Sequence, residues 1–381
     1  GLYQRNHLKK LFLTFNLYPV QMIQVTRPFL PPREEYEGYI AQIWERNWLT
    51  NNGPLLVRLE EELKSFLDVP HLLMMTNGTI TLQAILQTLN RKGKILTTPF
   101  SYIATCSAIL WEGYTPVFVD IDLLTFNADP SKAEELIDDD TVGILITHCF
   151  GVPCDLDGWD AISKKYNIPV VYDAAHAFGV KVDGVSVLNY GYASSLSLHA
   201  TKLFHTVEGG AVVTHSAQLD RELQLKRNFG HDGPDRFSDI GVNGKNSEFH
   251  AAMGLTNLRH IGEIMLSRKE QYLYYIQQLQ QGSSDLVFQH IPEHVQHNYS
   301  YFPVVFETEE RLLQVFHHLQ ANDISPRRYF YPSLNSLSFT KHLQGQTPVA
   351  ESISKRILCL PQYHGLTRAE QDKVIEKVLH A

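Results

Sequence analysis

The sequence predicts an α/β protein with a mainly parallel sheet covered by helices on both faces, and three observations predict it. Short β-rich runs alternate with helical stretches: "KILTTP" (94–99) precedes "IATCSAILWE" (103–112), "TPVFVD" (115–120) precedes "PSKAEELIDD" (130–139), and "VGILITH" (142–148) precedes "DLDGWDAISKKY" (155–166). Strands separated by helices of roughly 10–15 residues make crossover connections, which give parallel pairing with both sheet faces buried. The chain is 44% hydrophobic and 19% charged over 381 residues, enough for a large core in roughly two or three structural units. It shows neither an internal repeat nor a low-complexity tract.

Taken in order, residues 1–21, "GLYQRNHLKKLFLTFNLYPVQ", are basic, apolar and free of acids, and read as an upstream extension or non-native remnant. From Met22, "MIQVTRPFLPP" leads into "TRPFLPPREEY" (26–36), whose three prolines predict an extended arm. "NNGPLLVRLEEELKSFLD" (51–68) reads as a helix with Asn52 or Gly53 as cap, Pro54 in the first turn and a stripe of Leu55, Leu59, Leu63 and Phe66. The alternating segments follow, with "IPVVYDAAH" (168–176) as a further strand. These place an N-terminal arm and large domain at 22–264. From about Met265 a long helix leads into "YFPVVF", "EERLLQVFHHLQ" and "RAEQDKVIEKVLH", a smaller C-terminal α/β domain at 265–381.

The net charge of -8, from 41 acidic and 33 basic residues, is dispersed, so no basic block points to nucleic acid. No apolar run reaches the roughly 18 residues of a membrane span, so no membrane partner is expected. Cys106, Cys149, Cys154 and Cys359 form no CxxC pair; "THCFGVPCD" (147–155) suits buried thiols better than a metal site, and cytoplasmic, reducing conditions fit.

Ligands of such sheets bind beyond the carboxyl ends of the strands. That rule gathers "PFSY", "HCFG", "DAAH" and "SLHATK" on one edge. There "SLHATKLFHTVEGG" (197–210) sets Lys202 among small, hydroxyl and imidazole side chains, and Asp173 ends an apolar strand. "TNGTITLQ" (76–83) puts Gly78 and Thr79 near the start of a helix, where backbone N–H groups and the Thr79 hydroxyl can hold a phosphate. Singly, each has a plainer reading: a solvated lysine, a loop acid or helix cap, a glycine turn with a threonine cap. Together they suit pyridoxal 5'-phosphate, which needs an amine for a Schiff base, a carboxylate for its ring nitrogen and a phosphate cradle.

The set "DAAHAFG" (173–179), "SLHATKLFHTVEGGAVV" (197–213), "TNGTITLQ", "TPFSYIAT" (98–105) and "GVNGKNSEFHAAMGL" (241–255) resembles the DegT/DnrJ/EryC1/StrS family of nucleotide-sugar aminotransferases, from about Met22 to the end. The resemblance implies the aspartate aminotransferase-like fold type I, with a mainly parallel seven-stranded sheet and a smaller C-terminal domain. It is strongest to members that move an amino group from L-glutamate to C4 of dTDP-4-keto-6-deoxy-D-glucose for surface polysaccharide or other glycan synthesis. It implies Lys202 as the Schiff-base lysine, Asp173 as partner of the pyridine nitrogen and His176 near the phenolic oxygen. Tyr102 would stack on the ring, with Ser197, Gly78 and Thr79 on the phosphate. Asn243 would reach the phosphate in a neighbouring subunit, which implies a homodimer with shared active sites. His199, Lys245, Tyr331 and His364 are candidate substrate contacts; His176, Tyr102, His199 and Lys245 also fit structural or surface roles.

Leu198 and Asn246 depart from the family's frequent Phe and Met, and Asn246 changes polarity near the shared site. Three other readings stay open at this stage. Amination at C3 goes with a Tyr-Pro-Gly before the lysine, where this chain has His-Ala-Thr. Sugar 3-dehydratases carry histidine in place of Lys202, and a non-catalytic binding or regulatory protein would be expected to lose Lys202 or Asp173.

Overall fold

In the computed structural model, residues 22–89 and 91–381 are described, so the expected extension at 1–21 lies outside the described residues. Seven strands form the central sheet: β1 His71–Met75, β2 Lys94–Thr97, β3 Thr115–Phe118, β4 Thr141–Thr147, β5 Val170–Asp173, β6 Ala193–Ser197 and β7 Gly210–Thr214. Their spatial order is β1-β7-β6-β5-β4-β2-β3. Pairing is parallel from β6 through β5, β4 and β2 to β3, while β7 runs antiparallel to both β6 and β1. β7 is thus the one reversed strand, as "mainly parallel" requires.

The period of two along each strand splits the core between the faces. In β1, Leu72 and Met74 pack with α1 (Arg33–Arg46), α2 (Pro54–Leu67) and α7 (Glu248–Arg259) on one face. Leu73 and Met75 face α3 (Gly78–Leu86), α4 (Ile103–Trp111) and α6 (Ala217–Arg227) on the other. Trp159 and Ile162 of α5 (Leu156–Tyr166) cover β3, β4 and β5 from the first face. Helix starts are fixed by side chains that accept orphan N–H groups: Asn77 takes Ile80 N at 2.9 Å and Asp155 takes Gly158 N at 3.0 Å. α2 is capped from a distance, since the buried Glu248 carboxylate accepts from Leu55 N and Leu56 N, each at 2.9 Å.

Three local expectations change. The stretch 130–139 is not an α-helix but two short 3₁₀ turns, Pro130–Lys132 and Glu134–Leu136, the first nucleated by Asp129 accepting from Ser131 N. In α2 the buried stripe ends in Leu67, and Phe66 instead stacks on Phe178 with 38% exposure. The arm is extended only to Pro32, where α1 begins.

Beyond the sheet, α8 (Ile261–Gly282) starts against the main core through Ile261 and Ile264 and continues into a second core through Tyr272, Tyr275 and Leu279. β8 (Phe302–Val305) and β9 (Ile357–Leu360) pair antiparallel there, packed by α9 (Glu309–Ala321) and α11 (Arg368–Leu379); α10 (Pro348–Arg356) leads into β9. A further cluster, including Phe100, Phe150, Tyr301, Phe330 and Cys359, ties the loops at the sheet's carboxyl edge to this second region.

Candidate active site

Two strand ends, one strand start and one helix start converge at that edge. β5 stops at Asp173, β6 stops at Ser197, and α3 starts at Gly78 between them and the reversed β7. A Cβ on Gly78 would sit 3.0 Å from the Ser197 Cβ, and one on Gly210 would meet the Asn77 carbonyl carbon at 2.5 Å. Only glycines let the α3 N-terminus come this close to β6 and β7. The N–H groups of α3 therefore open beside Ser197 into a cavity of about 630 Å³.

Of the residues singled out in the sequence, Gly78, Thr79, Tyr102, Asp173, His176, Ser197, His199 and Lys202 all line this cavity. Asp173 is 6% exposed. Its Oδ2 accepts the Thr105 hydroxyl at 2.7 Å and its Oδ1 the Ala175 N–H at 3.1 Å. Thr105 is held in turn by Ser101 at 2.7 Å, and Ser101 by Thr147 at 2.8 Å. Burial pushes the Asp173 carboxyl above its usual range, while the Thr105 hydroxyl, the Ala175 N–H and the Lys202 charge pull it back. Burial lowers the Lys202 amine to about 8 against the opposing pull of Asp173 and Tyr102. Neither Asp173 nor Lys202 has an ion-pair partner among the described residues.

His176 is buried between aromatic planes, stacked on Phe150 at 6.0 Å and Phe330 at 5.8 Å, with Tyr301 tilted 4.5 Å away. Its Nδ1 accepts the Phe150 N–H at 3.2 Å, which leaves the proton on Nε2. Burial and the Lys202 charge hold its pKa well below the ordinary value, so the ring is neutral. Tyr102, the residue before α4, is 52% exposed and belongs to no core. His199 accepts from Thr201 N at 3.2 Å through Nδ1 and faces Glu208 at 3.5 Å through Nε2.

The other four singled-out residues do not line the cavity. Asn243 is exposed, in a bridge with Asn228, and Lys245 Nζ donates to Asn228 Oδ1 at 2.8 Å. Tyr331 stacks under the Arg328 guanidinium at 3.6 Å, and His364 packs edge-on against Phe29 at 5.2 Å. The segment 327–334 does reach the site, but through Arg327, Tyr329 and Phe330. Asn246 is buried under the turn that carries Glu208, donating to the Glu208 carbonyl at 3.4 Å.

Sequence reasoning passed over Thr105, Ser101, Thr147, Tyr301 and Arg327. The hydroxyl-rich "TPFSYIAT" held a signal for the first two, because Ser and Thr around a helix start commonly bond to neighbouring groups. Tyr301 comes from the distant second region, with its ring centroid 5.9 Å from Lys202 Nζ, and nothing local announces it.

The arrangement offers a buried amine of lowered pKa, a buried carboxylate without a cation, a neutral imidazole and an anion-binding helix start. Comparisons with known proteins agree with it. The family model described as "DegT/DnrJ/EryC1/StrS aminotransferase family" matches residues 32–379. The chain is 40% identical over 349 residues to a dTDP-4-amino-4,6-dideoxy-D-glucose transaminase of Shigella dysenteriae, covering 91% of this chain and 95% of that one. It is 36% identical over 367 residues to the protein of that description in Escherichia coli, covering 94% and 98%. Among solved structures, DesI in the presence of its TDP-sugar product superposes with a TM-score of 0.90 at 29% identity, covering 97% of this chain and 95% of that one. With the family model matched over nearly its whole length, the chain belongs to the DegT/DnrJ/EryC1/StrS aminotransferase family.

Proposed function

We propose that the protein is a pyridoxal 5'-phosphate-dependent aminotransferase that moves an amino group from L-glutamate to C4 of a nucleotide-linked keto sugar, dTDP-4-keto-6-deoxy-D-glucose. The product is dTDP-4-amino-4,6-dideoxy-D-glucose, for surface polysaccharides such as O-antigen or another glycan. The observation that carries the reading is the meeting of Lys202, Asp173 and the α3 N-terminus on one cavity. A carboxylate raised by burial and lacking a cation suits a protonated ring nitrogen, and Gly78, Thr79 and Ser197 suit a phosphate. The cofactor, when bound, supplies an aldehyde that accepts the amine and a ring that withdraws electrons from the adjacent carbon.

The chain's own residues do the rest. Lys202 would hold the cofactor through its amine, and its Nζ would serve as the group that takes up and returns a proton beside the substrate. A pKa of about 8 lets it give and take that proton near neutral pH. Asp173, pinned by Thr105 and Ala175, would be the anionic partner of the ring nitrogen and favour its protonated form. His176 would offer its Nε2 proton to the cofactor as a hydrogen-bond donor, and Tyr102 would supply an aromatic face to its ring. Thr79 and Ser197 would hold its phosphate.

The homodimer belongs to this proposal. Phe237, Ile240 and Val242 are 63%, 84% and 51% exposed on the loop that carries Asn243, an apolar surface of the kind a second copy covers. Asn243, outside its own cavity, is then available to a neighbour's phosphate. Cytoplasmic location and the division at 264/265 are part of the same reading.

The test is the purified protein loaded with cofactor, first for its yellow colour and then against dTDP- and UDP-linked 4-keto and 3-keto sugars with glutamate. Products are identified by mass and NMR. A 4-amino sugar from the dTDP-4-keto substrate is expected. Amination at C3 alone, or no turnover with any sugar, refutes it.

A further inference from the structure

We propose that His297, which does not line the cavity, is the positioning residue of His176. Acting through the Phe150 backbone, it fixes which ring nitrogen of His176 is presented to the cavity with a proton. The inference rests on the aminotransferase reading above for what that proton meets, and on geometry alone for how it is held.

The path begins at a strained residue. Phe150, three residues beyond β4, is held at φ 54° and ψ 20°, the left-handed region that residues with a Cβ rarely adopt. Gly151 follows at φ +90°, so close to the second region that a Cβ there would meet Asn298 Oδ1 at 2.7 Å and His297 Nε2 at 3.0 Å. So placed, Phe150 turns its N–H to His176 Nδ1 at 3.2 Å and its carbonyl to His297 Nε2 at 3.0 Å. An imidazole stands at each polar group of one residue.

The hydrogen bonds assign the protons. The Tyr299 N–H donates to His297 Nδ1 at 3.1 Å, so the His297 proton sits on Nε2 and donates to the Phe150 carbonyl. The Phe150 N–H donates to His176 Nδ1, so the His176 proton sits on Nε2 as well. Both rings are neutral: burial lowers the His297 pKa to about 4, and burial with the Lys202 charge holds that of His176 well below its ordinary value. His297 is itself fixed in place. The short strand before it, Val295–Gln296, pairs antiparallel with Lys181–Val182, just beyond "DAAHAFG". Its ring packs edge-on against Tyr299 at 5.0 Å and Tyr272 at 6.3 Å.

A plainer reading is that "HNYS" (297–300) only ties the second region to the sheet edge. The neighbours of His297 already do that: Asn298 Nδ2 donates to the His176 and Phe178 carbonyls at 2.8 and 2.9 Å, and Ser300 Oγ to the His176 carbonyl at 3.1 Å. Those bonds hold the main chain of His176. Stacking between Phe150 and Phe330 fixes the plane of its ring, but a half-turn within that plane exchanges the nitrogens with carbons and leaves the stacking intact. The Phe150 N–H is what tells the two orientations apart, and His297 holds the residue that carries it.

The experiment reads the His176 ring directly. Full-length protein labelled with ¹⁵N-histidine is studied by NMR, with the His176 ring nitrogens assigned through His176→Gln. In the wild type His176 should be neutral with its proton on Nε2 and its Nδ1 hydrogen-bonded; a proton on Nδ1 overturns the proposal. His297→Asn keeps an acceptor for the Tyr299 N–H and is too short to reach the Phe150 carbonyl, whereas His297→Gln keeps an N–H at that reach. In His297→Asn the His176 Nδ1 signal should move toward that of a nitrogen without a donor. With cofactor loaded, kcat should fall roughly two- to tenfold, the worth of one neutral hydrogen bond, with KM for glutamate nearly unchanged. His297→Gln should restore both. A folded His297→Asn with its His176 signals and kcat unmoved overturns the proposal, as does a loss that His297→Gln does not mend. Should His297→Asn not fold, His297→Gln decides alone: wild-type His176 signals uphold the path through Phe150, and displaced ones refute it. If the wild-type protein takes up no cofactor or transfers no amine, the functional reading fails instead, and the ring-nitrogen signals still report on His297.

Discussion

Thr105→Val removes one hydroxyl and nearly no volume, and it isolates what holds the Asp173 carboxylate ionised. Thr105 is wholly buried, and its hydroxyl donates to Asp173 Oδ2 at 2.7 Å, the first of the groups that oppose the burial of that charge. A hydrogen bond to a charged group contributes about 1.5–3 kcal/mol. Its loss therefore raises the Asp173 pKa further above the usual carboxylate range. The sign follows from which form the bond favours: it stabilises the carboxylate, so without it the proton is held to higher pH. If Asp173 must be ionised to serve the ring nitrogen, the acid limb of kcat/KM for glutamate moves upward in pH. Activity on the plateau is largely kept. The assay is the pH profile of the loaded protein, with colour as the measure of cofactor content. Ser101→Ala serves as the control: it removes the support behind Thr105 and leaves the Thr105–Asp173 bond, so its shift should be smaller. An acid limb that stays in place in Thr105→Val, at full cofactor content, refutes the claim that Asp173 ionisation is what the network protects.

Asp173→Asn should cost far more in turnover than in cofactor affinity, measured by steady-state rate and by colour titration; a loss within about tenfold, or 1.4 kcal/mol, would sink the ring-nitrogen pairing. The rate at which cofactor loads onto the apoprotein should rise with pH around a midpoint of about 8, because the Lys202 amine must be unprotonated to react; a midpoint at the ordinary lysine value would show that burial does not tune it. Gly78→Ala should weaken cofactor binding, since the new methyl meets Ser197 Cβ at 3.0 Å and pushes the α3 N-terminus away; unchanged affinity in a colour titration contradicts the cradle. Mixing inactive Lys202→Ala with inactive Asn243→Ala under subunit exchange should restore activity toward about a quarter of wild type, because half of randomly paired dimers are mixed and each keeps one intact site; exchange without recovery places Asn243 within its own subunit or outside the site.

What the sequence made legible follows the reach of each physical signal. Strand and helix periodicity are local, so the alternating elements could be read directly, and the rule about carboxyl strand ends then gathered Asp173, His176, Ser197 and Lys202 without any structure. The 130–139 stretch shows where local signals mislead. Its acids and leucine suit a helix, yet Pro130 and the Asp129 turn close it into 3₁₀ geometry before a full α-turn forms. Tertiary partners were invisible for a different reason. Glu248 caps α2 across 193 residues of sequence, and Tyr301 and Arg327 line the cavity that holds Lys202 only because the second region folds back over the sheet edge. In residues 327–334, "RRYFYPSL", the candidate contact read from the sequence is Tyr331, while Arg327, Tyr329 and Phe330 are the ones that line the cavity. A motif can thus locate a wall of the site, but which of its side chains faces the ligand depends on backbone dihedrals set by contacts far along the chain, such as the Arg327–Cys359 clamp.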